Sequence, residues 1–117
     1  MGTRTFHTGE ARKFLQEFTR QLQVVVRTGK MKFGFRSTLR CIQRGYAKLV
    51  IVAKNLPNEM KKLLWYLCKL TNVPFYEAPV NSDELGEMVR RPHRIASLAI
   101  LDVGSSNILK LVQSAPI

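Results

Sequence analysis

Three short runs constrain this chain more than anything else in it: KLVIVA at 48–53, VPFYEA at 73–78 and IASLAILD at 95–102. The first and third are apolar at nearly every consecutive position and rich in β-branched residues, so neither face of such a strand can be left to water. A strand buried on both faces needs helices above it and below it. The intervening segments have the spacing to supply them.

From Ala11, the residues Phe14, Leu15, Phe18, Leu22, Val25 and Val26 recur at helical intervals, which predicts a helix over about 10–28 with Gly29 at its C-terminal cap. A short extended piece, Met31 to Phe33, leads into Gly34. Phe35, Leu39 and Ile42 then mark one face of a second helix ending at Gly45, and Arg36, Arg40 and Arg44 mark the other, one turn apart. Asn55, with Pro57 at the first helical position, opens a third helix that reaches about Leu70 and turns Met60, Leu63, Leu64 and Leu67 inward. In its middle, Trp65 and Tyr66 read as one ring packed on the sheet and the other at the sheet edge. Asn81 or Ser82 caps a short fourth helix with Asp83 and Glu84 in its first turn, where the dipole favours acids, and Gly86 reads as a close packing point. SSNILKLVQS is the last helix. At 117 residues one core is available. We expect a flexible basic tail over 1–10 and a single α/β domain over 11–117, with helices on both faces of a central sheet.

Nineteen Lys and Arg stand against eight Asp and Glu, a formal charge of +11. Such an excess points to a polyanionic partner. The distribution says more than the total: no carboxylate occurs between Glu17 and Glu59, whereas Arg20, Arg27, Lys30, Lys32, Arg36, Arg40, Arg44, Lys48 and Lys54 all fall in that gap. A solvated face kept for solubility favours mixed signs, so the basic segment reads as a nucleic-acid surface.

Within that segment TGKMKFGFRST holds two glycines five apart. A dinucleotide fold would need GxGxxG directly after its first strand, and a P-loop would need GxxxxGK followed by Ser or Thr. Gly29 and Gly34 have the P-loop interval, but Phe35 and Arg36 follow, and no nearby acid is present to hold Mg²⁺. What remains is a helix beginning at Gly34. Its unpaired N–H groups and positive dipole end form an anion site, the glycine lets a phosphate approach the main chain, and Arg36 adds a guanidinium fork.

Other chemistries find little support. Cys41 and Cys68, 27 apart among apolar neighbours, read as reduced thiols on the core side, and His7 and His93 offer no ligand pair, so no metal or cofactor is assigned. Neither histidine has an acid or a nucleophile beside it in sequence, which argues against an enzyme acting on RNA. The amino terminus has no apolar leader and no run approaches a membrane span, so a soluble intracellular protein is expected.

Taken in order, TGKMKFGFRSTLRCIQRGYAKLVIVAKN, LWYLCKLTNVPFYE, DELGEMV and RPHRIASLAILDVGSSNIL resemble the L-thirty-e family of large-subunit ribosomal proteins of archaea and eukaryotes, within the kink-turn RNA-binding superfamily. The similarity runs from about Ala11 to Leu111. The resemblance implies a three-layer α/β/α sandwich with a central mixed sheet, and no enzymatic activity. It implies a structural role in the cytoplasmic ribosome, at one copy per large subunit, with rRNA and neighbouring ribosomal proteins as partners and no membrane or small-molecule substrate. A kink-turn scaffold in a guide-RNA modification particle is the alternative; the Asn-Glu pair of those relatives is absent after Gly34.

The resemblance further implies an RNA-binding site made of three loops at one end of the sheet. The first contributes Gly34, Phe35, Arg36 and Ser37, with Arg40 one turn on; the second contributes Lys54 and Asn55; the third contributes Arg91, His93 and Ile95. In that reading Arg36 and the helix amides neutralise crowded phosphates. Asn55 either reads a purine edge or caps the third helix. His93 and Ile95 support an extruded base, and Lys54, Arg91 and Arg94 contact phosphates. Arg90 stands where relatives often carry glycine, which predicts a third loop less tightly turned and more basic than usual.

Overall fold

A computed structural model describes residues 8–113. Nine elements follow in order: α1 (Thr8–Thr28), β1 (Lys30–Phe33), α2 (Phe35–Gln43), β2 (Leu49–Ala53), α3 (Asn58–Thr71), β3 (Phe75–Ala78), α4 (Ser82–Met88), β4 (Ser97–Asp102) and α5 (Ile108–Gln113). The extended piece before Gly34 is a full strand. Of the tail expected over 1–10, residues 1–7 lie outside the described residues, and α1 is already under way at Thr8.

The four strands form one sheet in the order β1-β4-β2-β3. β4 is antiparallel to both β1 and β2, whereas β2 and β3 are parallel. The sheet is therefore mixed, as the family resemblance implied. All five residues of β2 are buried, and they alternate between two cores. Leu49, Ile51 and Ala53 join Leu98 and Ile100 beneath Phe18, Leu22 and Val25 of α1, Leu85 of α4 and Ile108 of α5. Val50, Val52 and Ala99 face the other way, onto Cys41 and Ile42 of α2 and Leu64 and Cys68 of α3. This is the three-layer α/β/α sandwich.

Helix ends follow local chemistry. Gly29 donates its N–H to the Val25 carbonyl at 2.7 Å, closing α1. Gly45 sits at φ 76° and ends α2 with paired bonds, its own N–H to Ile42 and the Tyr46 N–H to Cys41. Asn81 caps α4 reciprocally: its side chain accepts from the Glu84 N–H, and the Glu84 carboxylate accepts from the Asn81 N–H, both at 3.0 Å.

Helix α3 departs from expectation in three places. Met60 and Leu63, expected inward, are 38% and 41% exposed; the buried positions are Leu64 and Cys68. Trp65 and Tyr66 are both about half exposed, so neither ring is packed away under the sheet. Asn55 does not cap the helix, because the N-cap residue is Pro57 and no side chain bonds to the first turn.

Candidate nucleic-acid interface

Strand register brings three loops to one end of the sheet. Phe33, the last residue of β1, is opposite Leu98, and Val52 near the end of β2 is opposite Ser97, the first residue of β4. The Gly34 N–H donates to the Ser97 carbonyl at 2.9 Å and the Ala53 N–H to the Ala96 carbonyl at 2.8 Å. The β1–α2 turn, the β2–α3 loop and the α4–β4 loop therefore open on the same side.

The first loop holds an open helix start. Gly34 adopts φ 98° and ψ 158°, no side chain caps α2, and a Cβ built on Gly34 would meet nothing within 4 Å. The glycine is required by torsion rather than by crowding, and the space before the helix is free. Its carbonyl accepts from both the N–H and the hydroxyl of Thr38. The amides of Phe35, Arg36 and Ser37 thus stand at a positive helix end that carries no acid in its first turn. Arg36 is exposed, while Phe35 and Ser37 are half-buried. Arg40, also exposed, borders with Lys32, Ser37, Arg44 and Tyr46 a hollow of about 300 Å³ between α2 and the β1 and β4 strands.

In the second loop, Lys54 is exposed. Both ends of the Asn55 amide engage α4: Oδ1 accepts from the Ser82 N–H at 2.9 Å, and Nδ2 donates to the Ser82 hydroxyl at 3.2 Å. Asn55 thereby ties the second loop to the helix that carries the third. Asn55 is itself exposed, and these two bonds use one Nδ2 hydrogen and one carbonyl lone pair.

The third loop is clamped onto α4. Gly86 approaches the loop so closely that an added Cβ would lie 2.3 Å from the His93 carbonyl oxygen, and the Arg91 N–H donates to the Gly86 carbonyl at 2.9 Å. The Arg91 guanidinium lies over the Phe33 ring, 4.5 Å from its centre, which joins the third loop to the first. His93 is exposed, with Nδ1 3.3 Å from the Arg94 carbonyl oxygen. Arg90 adopts φ 60°, the left-handed conformation glycine would take, so the loop turns as tightly with arginine as it would with glycine.

Two further expectations for this loop change. Ile95 is 2% exposed and belongs to the core beneath α1 and α4, so it anchors the loop from below and offers no surface to a base. Arg94 is paired with Asp83 at 2.8 Å, so an acid already stands beside its guanidinium. Asp83 and Glu87 of α4 border the same hollow as Arg91 and His93. The site is therefore basic toward α2 and mixed toward α4. Phe33, Ser82 and Asp83 were legible only as parts of a strand and a helix start, because their contacts at this end of the sheet run to other elements. Among the described residues, no group of His, Cys, Asp and Glu is arranged to hold a metal ion, and no helix is long and apolar enough to cross a membrane.

Residues 16–110 match the Ribosomal protein L7Ae/L30e/S12e/Gadd45 family. A Pyrobaculum calidifontis protein named large ribosomal subunit protein eL30 is 45% identical over 96 residues, which cover 82% of this chain and 95% of that one. Proteins of the same name from Methanopyrus kandleri and Methanocaldococcus jannaschii are 39% and 35% identical, over 86% and 83% of this chain and 93% and 88% of theirs. A solved structure of a protein with unknown function from Bacillus halodurans superposes with a TM-score of 0.73 at 21% identity, covering 83% of this chain and 97% of that one. It corroborates the fold.

Proposed function

The chain belongs to the ribosomal protein L7Ae/L30e/S12e/Gadd45 family, and on that premise we propose that it is a structural, non-catalytic constituent of the large ribosomal subunit that grips a kinked segment of rRNA. The observation that carries the reading is the open start of α2 beside the loops of Lys54 and Arg91. Three unpaired amides, a glycine with free space before it and exposed cations face one place.

A kinked duplex crowds phosphates and leaves bases unpaired, and both features suit this end of the sheet. Arg36 and the α2 amides neutralise crowded phosphates, Lys54 and Arg91 add charge without sequence preference, and Arg40 extends the basic surface along α2. His93 offers a flat exposed ring on which an extruded base can rest, a contact worth about 1–3 kcal/mol. Asn55 contributes its free amide hydrogen to a base edge while its other bonds hold the loop. Holding the RNA is the whole task, so charge neutralisation and shape suffice. The curated relatives carry the large-subunit name, which favours the ribosome over a guide-RNA particle as the setting.

The test is a titration against two RNAs of equal length, one kinked by an internal loop and one fully paired, at several salt concentrations. A preference for the kinked RNA that survives high salt, lost on Arg36→Ala and reduced on His93→Ala, is expected. With about six phosphates neutralised, log K should fall against log salt with a slope of roughly −5. Equal binding to both RNAs would leave only a diffuse basic face and overturn the three-loop site.

A further inference from the structure

Six large apolar side chains are more than a third exposed among the described residues, and five of them are on one helix: Met60, Leu63, Trp65, Tyr66 and Leu70 of α3. Packing α3 against its own sheet uses Leu64 and Cys68, with Leu67 half-buried beside them. A helix apolar well beyond the stripe that meets its core is built to meet something else. Met60, Leu63, Leu67 and Leu70 are spaced by three, four and three residues, the interval at which one helix presents a seam to another. The seam is open at Met60, Leu63 and Leu70, which are 38%, 41% and 62% exposed, and Tyr66 borders it at 55%.

We propose that this seam is the docking face for an amphipathic helix of another protein, whose apolar side lies along Met60, Leu63, Leu67 and Leu70 and whose acidic rim reaches Lys62 and Lys69. It rests on the ribosomal reading only in taking a protein neighbour from the subunit. The charge on α3 selects the partner. Lys61 is held by Glu77 at 3.0 Å and Lys69 lies over Trp65, while exposed Lys62 has no acidic partner among the described residues. An acidic rim complements that face. A second copy of this chain would bring another +11 and set lysine against lysine, so self-association is disfavoured. RNA fits less well: α3 has no arginine, and three of the five exposed side chains are aliphatic or thioether groups that neither stack on bases nor bind phosphate.

A photoreactive benzoylphenylalanine placed singly at Tyr66, Leu70 or Arg36 of the full chain, in assembled large subunits, tests this. Adducts from positions 66 and 70 are expected on a protein segment whose sequence reads as an amphipathic helix with Asp or Glu beside its apolar stripe, and the adduct from position 36 on rRNA. Leu70→Glu, at a position too exposed to endanger the fold, should cut the adduct yield at position 66 about tenfold by setting a carboxylate against the acidic rim. Adducts from 66 and 70 on RNA, on a second copy of this chain or on a basic or extended segment would overturn the proposal, as would no adduct at those positions. Failure at position 36 alone would instead count against the RNA site. Trp65 is the only tryptophan in the chain. Its emission should not move when purified protein binds the kinked RNA, and a shift there would put RNA on α3 and sink the proposal.

Discussion

Gly86→Ala should damage RNA recognition from the far side of the site. The added Cβ would sit 2.3 Å from the His93 carbonyl oxygen, with the carbonyl carbon at 3.3 Å and the Arg94 Cα at 3.6 Å, all of them backbone. Ordinary contact begins near 3.4 Å, so the loop must retreat by about 1.1 Å and no rotamer change can spare it. Overpacking of this kind costs about 1–3 kcal/mol, while alanine in a helix recovers about 1 kcal/mol over glycine, which leaves a net loss of about 0–2 kcal/mol. The fold survives. What moves is the segment that carries His93, together with the Arg91 amide bonded to the Gly86 carbonyl. If the His93 contact is worth the 1–3 kcal/mol of a stacked base, affinity for kinked RNA falls by about 5- to 150-fold, and affinity for straight duplex holds because charge is unchanged. Chemical denaturation and paired RNA titrations read both effects. Wild-type stability with wild-type kinked-RNA affinity would show that the contact does not position the loop. A loss above about 4 kcal/mol would show that the effect is not local.

Substitutions at three other positions follow from the geometry. Arg90→Gly should leave stability within about 0.5 kcal/mol of wild type, because relief of a left-handed residue offsets the added freedom of the unfolded chain, whereas Arg90→Val should cost at least about 1 kcal/mol in a denaturant melt. Asn81→Ala removes one half of the α4 capping box and strands the other, and should cost about 1 kcal/mol, read as a lowered Tm. Burial lifts the Cys68 thiol from 9.0 to about 12. Since the folded value is the higher one, its stabilising contribution is complete below pH 9 and is lost as pH rises through the 9–12 window, by at most about 1.4 kcal/mol per pH unit. Denaturation at several alkaline pH values should give a flatter curve for Cys68→Ala, and thiol reagents should leave Cys68 of the folded protein unmodified at pH 8; prompt modification would refute its burial.

The layers were legible because strands buried on both faces have no polar residues to interrupt them. KLVIVA could only be a central strand, and β2 is flanked on both sides in the sheet. Helix ends were legible where one residue type meets one torsional need, as at Gly45 and Asn81. Of the candidate site, the first loop was the most readable, since the torsion of Gly34 and the charge of Arg36 are local properties. The third loop was less so. Ile95 sits at the mouth of a strand, and only the packing of α1 and α4 decides that its side chain points into the core. The Asn55 to Ser82 bonds span 27 residues, and the Arg94 to Asp83 pair spans a helix and a turn. No local pattern encodes such partners.

Helix α3 failed for a different reason, and that reason bears on function. A helical period identifies an apolar face only when the remaining faces are polar. In MKKLLWYLCKL two apolar stripes overlap, one through Leu64 and Cys68 and the other through Met60, Leu63 and Leu70, with Leu67 shared between them. Periodicity merges them and assigns Met60 and Leu63 to the core; the fold separates them, because the sheet can cover only one. Exposed leucines of this kind add nothing to the stability of the isolated domain and invite aggregation, so their retention beside two lysines has to be explained outside it. The ambiguity of the pattern is what a helix looks like when one of its two faces is meant for a partner, and the photo-adducts at positions 66 and 70 decide whether a partner is there.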